Sequence, residues 1–304
     1  MSAAGSPADK AAQIAGTGPA GAGRLKKRLG GEAVFEGVGI HTGARARLVC
    51  RSAAEGSGIV LIRADLPGEP RWNLTGAGFA AGSVQQGAGR RTILAGSGGS
   101  VETVEHFAAA LWALGIADLR AELTGPELPI LDGSAAGFVD GFCAAGLQDG
   151  RGAFETIAPA EPIFVSADRS AILALPHDGL RVTYTLDYPY PGLGAQTVSA
   201  DLTPDFFLTS IAPARTFCAQ EEVGRLREQG FGKGATTDNT LVMTADGPVG
   251  NRLRFNDKCA RHKILDLIGD LSLLGADVRA HIIAVRSGHA LNHRLREALE
   301  PRCV

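Results

Sequence analysis

The sequence predicts an α+β fold in two halves of similar order, with helices packed on mostly antiparallel sheet. Three observations carry this. Strand patterns are grouped ahead of helix patterns instead of alternating with them. Each half of the chain finishes as helix, strand, helix. A turn-rich stretch at 147–160 (LQDGRGAFETIAPA) reads as a linker between the halves.

Taken in order, residues 1–23 are almost wholly Ala, Gly, Ser and Pro and read as a disordered extension. The basic cluster Arg24, Lys26, Lys27 and Arg28 follows as a solvated lead-in. A first domain is expected over 24–150. Its segments 34–40, 44–50 and 59–64 alternate or run apolar between Gly-containing turns, the pattern of strands, and 91–94 reads as a further one. The spacing predicts a helix over 103–114, with Thr103 as N-cap and Gly115 as stop, then a strand over 119–123 and a helix over 135–145. A second domain is expected over 151–304. Strands are predicted at 163–166, 172–175 and 182–186, a helix near 221–229, a strand near 240–243, then helix 257–274, strand 278–285 and helix 290–299. No residue-level repeat is visible, so the likeness of the halves lies in the order of elements alone.

Composition narrows the function classes. The 304 residues are 45% hydrophobic, ample for real cores, and a net charge of −2 offers no basic excess for a nucleic-acid partner. Cys50, Cys143, Cys218, Cys259 and Cys303 are odd in number and never spaced as CxxC, which argues for a reducing cytoplasm and against a disulfide framework. No apolar run reaches the ~18 residues that a transmembrane helix needs. Nothing in the chain demands more than a monomer.

The chemistry concentrates in RHKILDL (261–267). His262 and Asp266 stand four apart, so both leave one face of the predicted helix, a spacing that can hold two ligands of one metal ion. Asp270 extends that stripe, while Ile264, Leu267, Ile268, Leu271 and Leu274 form an adjoining apolar one. The helix over 103–114 carries Glu105-His106, and its apolar face is already accounted for by Val104, Phe107, Leu111 and Leu114. If the two helices are equivalent elements meeting between the halves, His106, His262 and Asp266 make three ligands of a catalytic Zn²⁺ with a position left for water, and Glu105 becomes a general base. His289, straight after Gly288 at a strand-to-helix turn, is placed to donate a proton, with Asp270 as its orienting carboxylate.

Together the blocks GVGIHTG (37–43), TVEHFAAAL (103–111), LDGSAAGFVD (131–140), APARTF (212–217), RHKILDLIGDLSLLG (261–275) and SGHALN (287–292) resemble, in order, those of the UDP-3-O-acyl-N-acetylglucosamine deacetylase family, the zinc amidases of lipid A synthesis in Gram-negative bacteria. The resemblance implies two similar domains, each a sheet layer packed on a helix pair, with the active site at the inter-domain cleft. It implies zinc on His106, His262 and Asp266, Glu105 as base and His289 as acid supported by Asp270. It further implies that Thr216 stabilises the oxyanion and that Lys263 and Phe217 contact the acylated UDP-sugar. Fe²⁺ suits such a His₂Asp site as well. Cys218 and Ala219 stand where the family often has glycine and a bulky apolar residue, and 187–203 is the segment expected to form the acyl channel. A non-catalytic relative would lack a ligand or the base, and every matched position is intact. A metal-free interaction module would instead carry these polar stripes as solvated faces.

Other residues are read as structural. His41 is expected to support its loop, Asp132-Gly133 to make a tight turn before a helix, and Trp112 to pack. His177, His281 and His293 have no partner pattern.

Overall fold

The computed structural model describes residues 23–75, 90–190 and 192–300, so all but Gly23 of the extension expected at 1–23, residues 76–89 and Cys303 lie outside the described residues. Two five-stranded sheets form the frame, and they share one topology. In the first, strands Ala33–Val38, Arg45–Ser52, Ile59–Arg63, Arg71–Asn73 and Leu119–Thr124 lie in the order first, second, fifth, third, fourth. In the second, strands Ile163–Ala167, Ser170–Pro176, Leu180–Asp187, Ala195–Asp201 and Ala280–Val285 repeat that order. Each fifth strand is central, antiparallel to the second and parallel to the third. The chain is α+β, and its two halves are alike in topology where they are unlike in sequence.

Alternation fixes which sheet face is covered. Along Leu180–Asp187, Val182, Tyr184 and Leu186 are buried while the residues between them are half-buried. The first sheet buries Phe35, Leu48, Leu61 and Leu123 in the same way. Helices α1 (Glu105–Leu114) and α2 (Ala136–Ala145) cover it, joined by Phe107 edge-on to Phe138 at 5.6 Å, while Phe138 and Phe142 meet Phe35 at 5.0 and 5.1 Å. A short helix, α3 (Val223–Glu228), lies in the second half, where α4 (Lys258–Ser272) and α5 (His289–Leu299) pack on the second sheet. None of the described helices is long and apolar enough to cross a membrane.

The helices that matter most are α1 and α4, because they lie directly against each other. α1 permits close approach through its alanines at 108, 109, 110 and 113, and α4 contributes Gly269. A Cβ on Gly269 would fall 2.1 Å from the carbonyl oxygen of Glu105, so only glycine fits there. α1 ends where expected, at Gly115 in the left-handed region (φ 69°), whose N–H returns to Leu111 and Trp112.

Three local expectations are corrected. Thr103 does not cap α1: it sits at φ 58° one residue earlier, and its hydroxyl donates to the fully buried Glu127 (2.7 Å), so a long-range carboxylate wins over the local cap. The segment 147–160 is no loose linker. Leu147–Ala153 pairs antiparallel with Leu25–Leu29, and Thr156–Ile157 pairs in parallel with Asp277–Val278. The basic cluster is built into the fold for the same reason. Arg24 donates to Asp277 from its backbone N (2.8 Å) and its guanidinium (2.7 and 2.9 Å) and lies 4.5 Å over the Trp112 ring. That confirms Trp112 as a packing residue and ties the start of the first half to the second.

Two substitutions test this frame. Gly269→Ala is expected to lower the free energy of unfolding by about 1–3 kcal/mol through overpacking against the Glu105 carbonyl, read from urea titration. Asp277→Ala removes the acceptor of a largely buried guanidinium and is expected to cost about 2 kcal/mol in the same assay. An unshifted midpoint in either case would contradict the corresponding contact.

Candidate metal and catalytic site

The crossing of α1 on α4 brings both polar stripes together. Glu105 and His106 open α1, and His262, Asp266 and Asp270 share one face of α4. All five are buried. One nitrogen each from His106 and His262 and one oxygen of Asp266 lie within 4.8 Å of one another. Asp266 Oδ1 is 3.4 Å from His262 Nε2 and 3.7 Å from His106 Nε2, and the two rings stand edge to face at 5.0 Å.

Hydrogen-bond accounting shows what this trio accommodates. The Ala214 carbonyl can only accept, so His262 Nδ1, at 3.0 Å, donates to it. Burial, opposed by Asp266, holds the pKa of His262 down to about 3, leaving the ring neutral. Its Nε2 therefore turns a lone pair toward a carboxylate oxygen with no proton between them. His106 adds a buried Nδ1 without a partner among the described residues. Two imidazoles and a carboxylate so arranged fit a divalent transition-metal ion. Burial alone would raise the pKa of Asp266, but the Lys263 ammonium, donating at 2.7 Å, and then His262 hold it well below the usual carboxylate range. Lys263, expected at the substrate, thus lines the cavity while held by the Asp266 carboxylate.

Across from the trio, His289 at the start of α5 lies 2.8 Å from Asp270 Oδ2 through Nδ1. Its Nε2 is 3.9 Å from both Glu105 Oε1 and Asp266 Oδ2. Burial pulls the pKa of His289 down, but the Asp270, Glu105 and Asp266 carboxylates outweigh it and raise it to about 9. The pKa of Glu105 is displaced upward too, for a different reason. Burial raises its pKa, against the pull of His289 and His106.

Apart from Asp270, which lies behind His289, these groups face a cavity of about 320 Å³ lined from both halves. Thr216 and Phe217 form part of its wall, and the Phe217 ring stands edge-on to His262 at 6.0 Å. His41 lines it too, where burial, against the pull of Glu127, lowers its pKa to about 4. Its loop is held by Glu127, which accepts from the backbone N of His41 (3.1 Å) and Thr42 (2.8 Å). Asp132 makes the expected turn by accepting from the Ser134 backbone N and hydroxyl at 3.1 and 2.7 Å, while Gly133 (φ 81°) lies so close to the Asn239 carbonyl that a side chain would clash.

Sequence reasoning missed several residues. Lys258, buried under Thr216-Phe217, lies 4.6 Å from the Phe217 ring centroid, and burial brings its pKa to about 7. Thr92, Asn292 and His293 surround Asp270. Asn292 stands in the SGHALN block, so position gave a signal for it. Thr92 lies in a stretch without a motif, and nothing local marks it.

Residues 26–300 match the model of the UDP-3-O-acyl N-acetylglycosamine deacetylase family. The chain is similar to the UDP-3-O-acyl-N-acetylglucosamine deacetylase of Thermosynechococcus vestitus, 39% identical over 279 residues that cover 92% of this chain and 95% of that protein. It is also similar to the proteins of the same name from Bdellovibrio bacteriovorus (36% identical, covering 89% of this chain and 88% of that one) and Nostoc sp. (37%, covering 90% and 98%). With a match of this extent over both sheets and every element of the site, the chain belongs to the UDP-3-O-acyl-N-acetylglucosamine deacetylase family.

Proposed function

We propose that this chain is a zinc-dependent hydrolase that removes the N-acetyl group of UDP-3-O-acyl-N-acetylglucosamine, giving acetate and the free-amine sugar nucleotide in lipid A biosynthesis. The observation that carries the reading is a buried His₂Asp trio within 4.8 Å, set beside a raised-pKa glutamate and a carboxylate-paired histidine. His106, His262 and Asp266 hold the ion, and a His₂-carboxylate set takes Zn²⁺ or Fe²⁺. When bound, such an ion supplies Lewis-acid stabilisation of negative charge on oxygen and lowers the pKa of water.

The chain's own groups do the rest. Glu105, a stronger base than an exposed carboxylate because it is desolvated, takes the proton of the attacking water. The Thr216 hydroxyl, in the cavity wall, donates to the oxygen that becomes negative on attack. His289 is an imidazolium at neutral pH, sustained by Asp270, and gives its Nε2 proton to the departing nitrogen. At 3.9 Å from Glu105 and Asp266, its Nε2 is close enough to both that one group lying beside the three atoms reaches each of them. Lys263 and Phe217 contact the sugar nucleotide, and Tyr188, at the start of the 187–203 segment, reaches the cavity where the acyl chain enters. Every group comes from one chain, which fits a monomer, and a nucleotide-sugar substrate fits the cytoplasm.

Metal analysis with an acetate-release assay on UDP-3-O-acyl-N-acetylglucosamine tests the reading. One equivalent of bound metal is expected, with turnover lost on chelation and restored by Zn²⁺; activity that survives complete removal of metal would refute it. Glu105→Gln should keep its metal while kcat falls about 10²–10⁴-fold. His262→Ala, by contrast, should lose metal and activity together, and full occupancy in that variant would remove His262 from the ligand set.

A further inference from the structure

We propose that Thr92 is a positioning residue that ties the general base to the acid pair, a role that rests on the assignment of Glu105 and His289 above. Thr92 is 1% exposed and does not line the cavity, so it acts through other groups. All of its polar atoms are engaged, each at a different part of the machinery. Its carbonyl accepts from Thr103 (2.9 Å) and Val104 (3.5 Å) at the start of α1, the helix that carries the base. Its backbone N–H donates to Glu105 Oε2 at 3.1 Å. Its hydroxyl donates to Asp270 Oδ1 at 2.6 Å, the short separation of an O–H bonded to a carboxylate.

One residue therefore grips the base, the helix under the base, and the carboxylate behind the acid. The hydroxyl has a single proton, and Asp270 can only accept it, so Thr92 Oγ1 is itself an acceptor toward its other neighbours. His289 Nδ1 is 3.3 Å away but is committed to Asp270 Oδ2 at 2.8 Å. His293 Nε2, at 2.9 Å, is thus the donor that fixes the hydroxyl rotor. His289 and His293 stand four apart on α5, so the acid and the residue that locks Thr92 share one helix face. Asn292 completes the set by donating to Asp270 Oδ2 at 2.8 Å while accepting from the Ser287 hydroxyl at 2.6 Å.

With both carboxylates held by one residue, Thr92 adds a link of fixed covalent geometry between base and acid pair to the packing of α1 on α4. Loss of the hydroxyl frees Oδ1 of Asp270 and lets the Asp270–His289 pair turn, which moves the proton donor away from the leaving nitrogen without altering the substrate's contacts.

The experiment compares Thr92→Val, which removes the hydroxyl and keeps the shape, with Thr92→Ser, which keeps the hydroxyl, for bound metal, kcat and KM in acetate release. The valine variant is expected to lose about 10- to 100-fold in kcat with metal content and KM unchanged. The serine variant should stay within about threefold of the parent, a margin far narrower than that for a lost positioning contact. In an Asp270→Asn background the valine change should add less than about twofold, because the two substitutions remove one interaction. Should the valine variant fail to fold, Thr92→Cys reads the same hydroxyl with a poorer donor. Equal losses in the serine and valine variants, full additivity with Asp270→Asn, or a valine variant as active as the parent would each overturn the role of Thr92. A parent protein that binds metal but releases no acetate would overturn the assignment of base and acid, and this proposal with it.

Discussion

Everything at the site depends on how closely two helices approach. Gly269 lets α4 lie on the backbone of α1 at Glu105, where any side chain would meet the carbonyl oxygen at 2.1 Å. Asp266 stands one turn before that glycine and Asp270 immediately after it, so the contact point divides the face of α4 in two. On one side Asp266 meets His106, the neighbour of Glu105. On the other Asp270 meets His289 from α5. A looser crossing would leave the same residues on the same faces without convergence, and their spacing along each helix would have no chemical consequence.

The same closeness imposes an electrostatic demand. Glu105, Asp266 and Asp270 are all buried, and uncompensated carboxylates in such surroundings are costly. Lys263 and His289 answer part of the demand at 2.7 and 2.8 Å. Two cations against three carboxylates leave a deficit of positive charge, which a divalent ion among His106, His262 and Asp266 would make good. The upward displacements of both Glu105 and His289 from their ordinary pKa values follow from this arrangement, through desolvation for Glu105 and through neighbouring carboxylates for His289.

Much of this could be read in the sequence because helices broadcast their faces. The spacing of His262, Asp266 and Asp270 and the apolar stripe beside them are local facts, and α4 lies within one or two residues of where periodicity puts it. The roles expected of Thr216, Lys263 and Phe217 came from likeness of blocks, that of His289 first from its place at a strand-to-helix turn, and all four residues line the cavity. What stayed hidden is long-range. Leu147–Ala153 has the composition of a linker and becomes a strand only because Leu25–Leu29 offers it an edge. Thr103 looks like a cap until Glu127, distant in sequence, claims its hydroxyl. Thr92 and His293 matter through partners on three separate elements, and no periodicity reports that. The shared topology of the halves was visible as an order of elements but not as a repeat, since the pairing of strands constrains backbone more than side chains.

One consequence follows from where the three candidate ligand atoms originate. His106 belongs to the first sheet's helix pair, and His262 and Asp266 belong to the second's. An ion bound there would be a staple between lobes as well as a reagent, working alongside the Arg24–Asp277 clasp. Linkage then runs in both directions: metal affinity includes the free energy of lobe closure, and lobe closure is strengthened by whatever holds the ion. The occupancy of the centre becomes a gauge of how firmly the molecule is shut, and cofactor loading and mechanical integrity are one equilibrium seen from two sides.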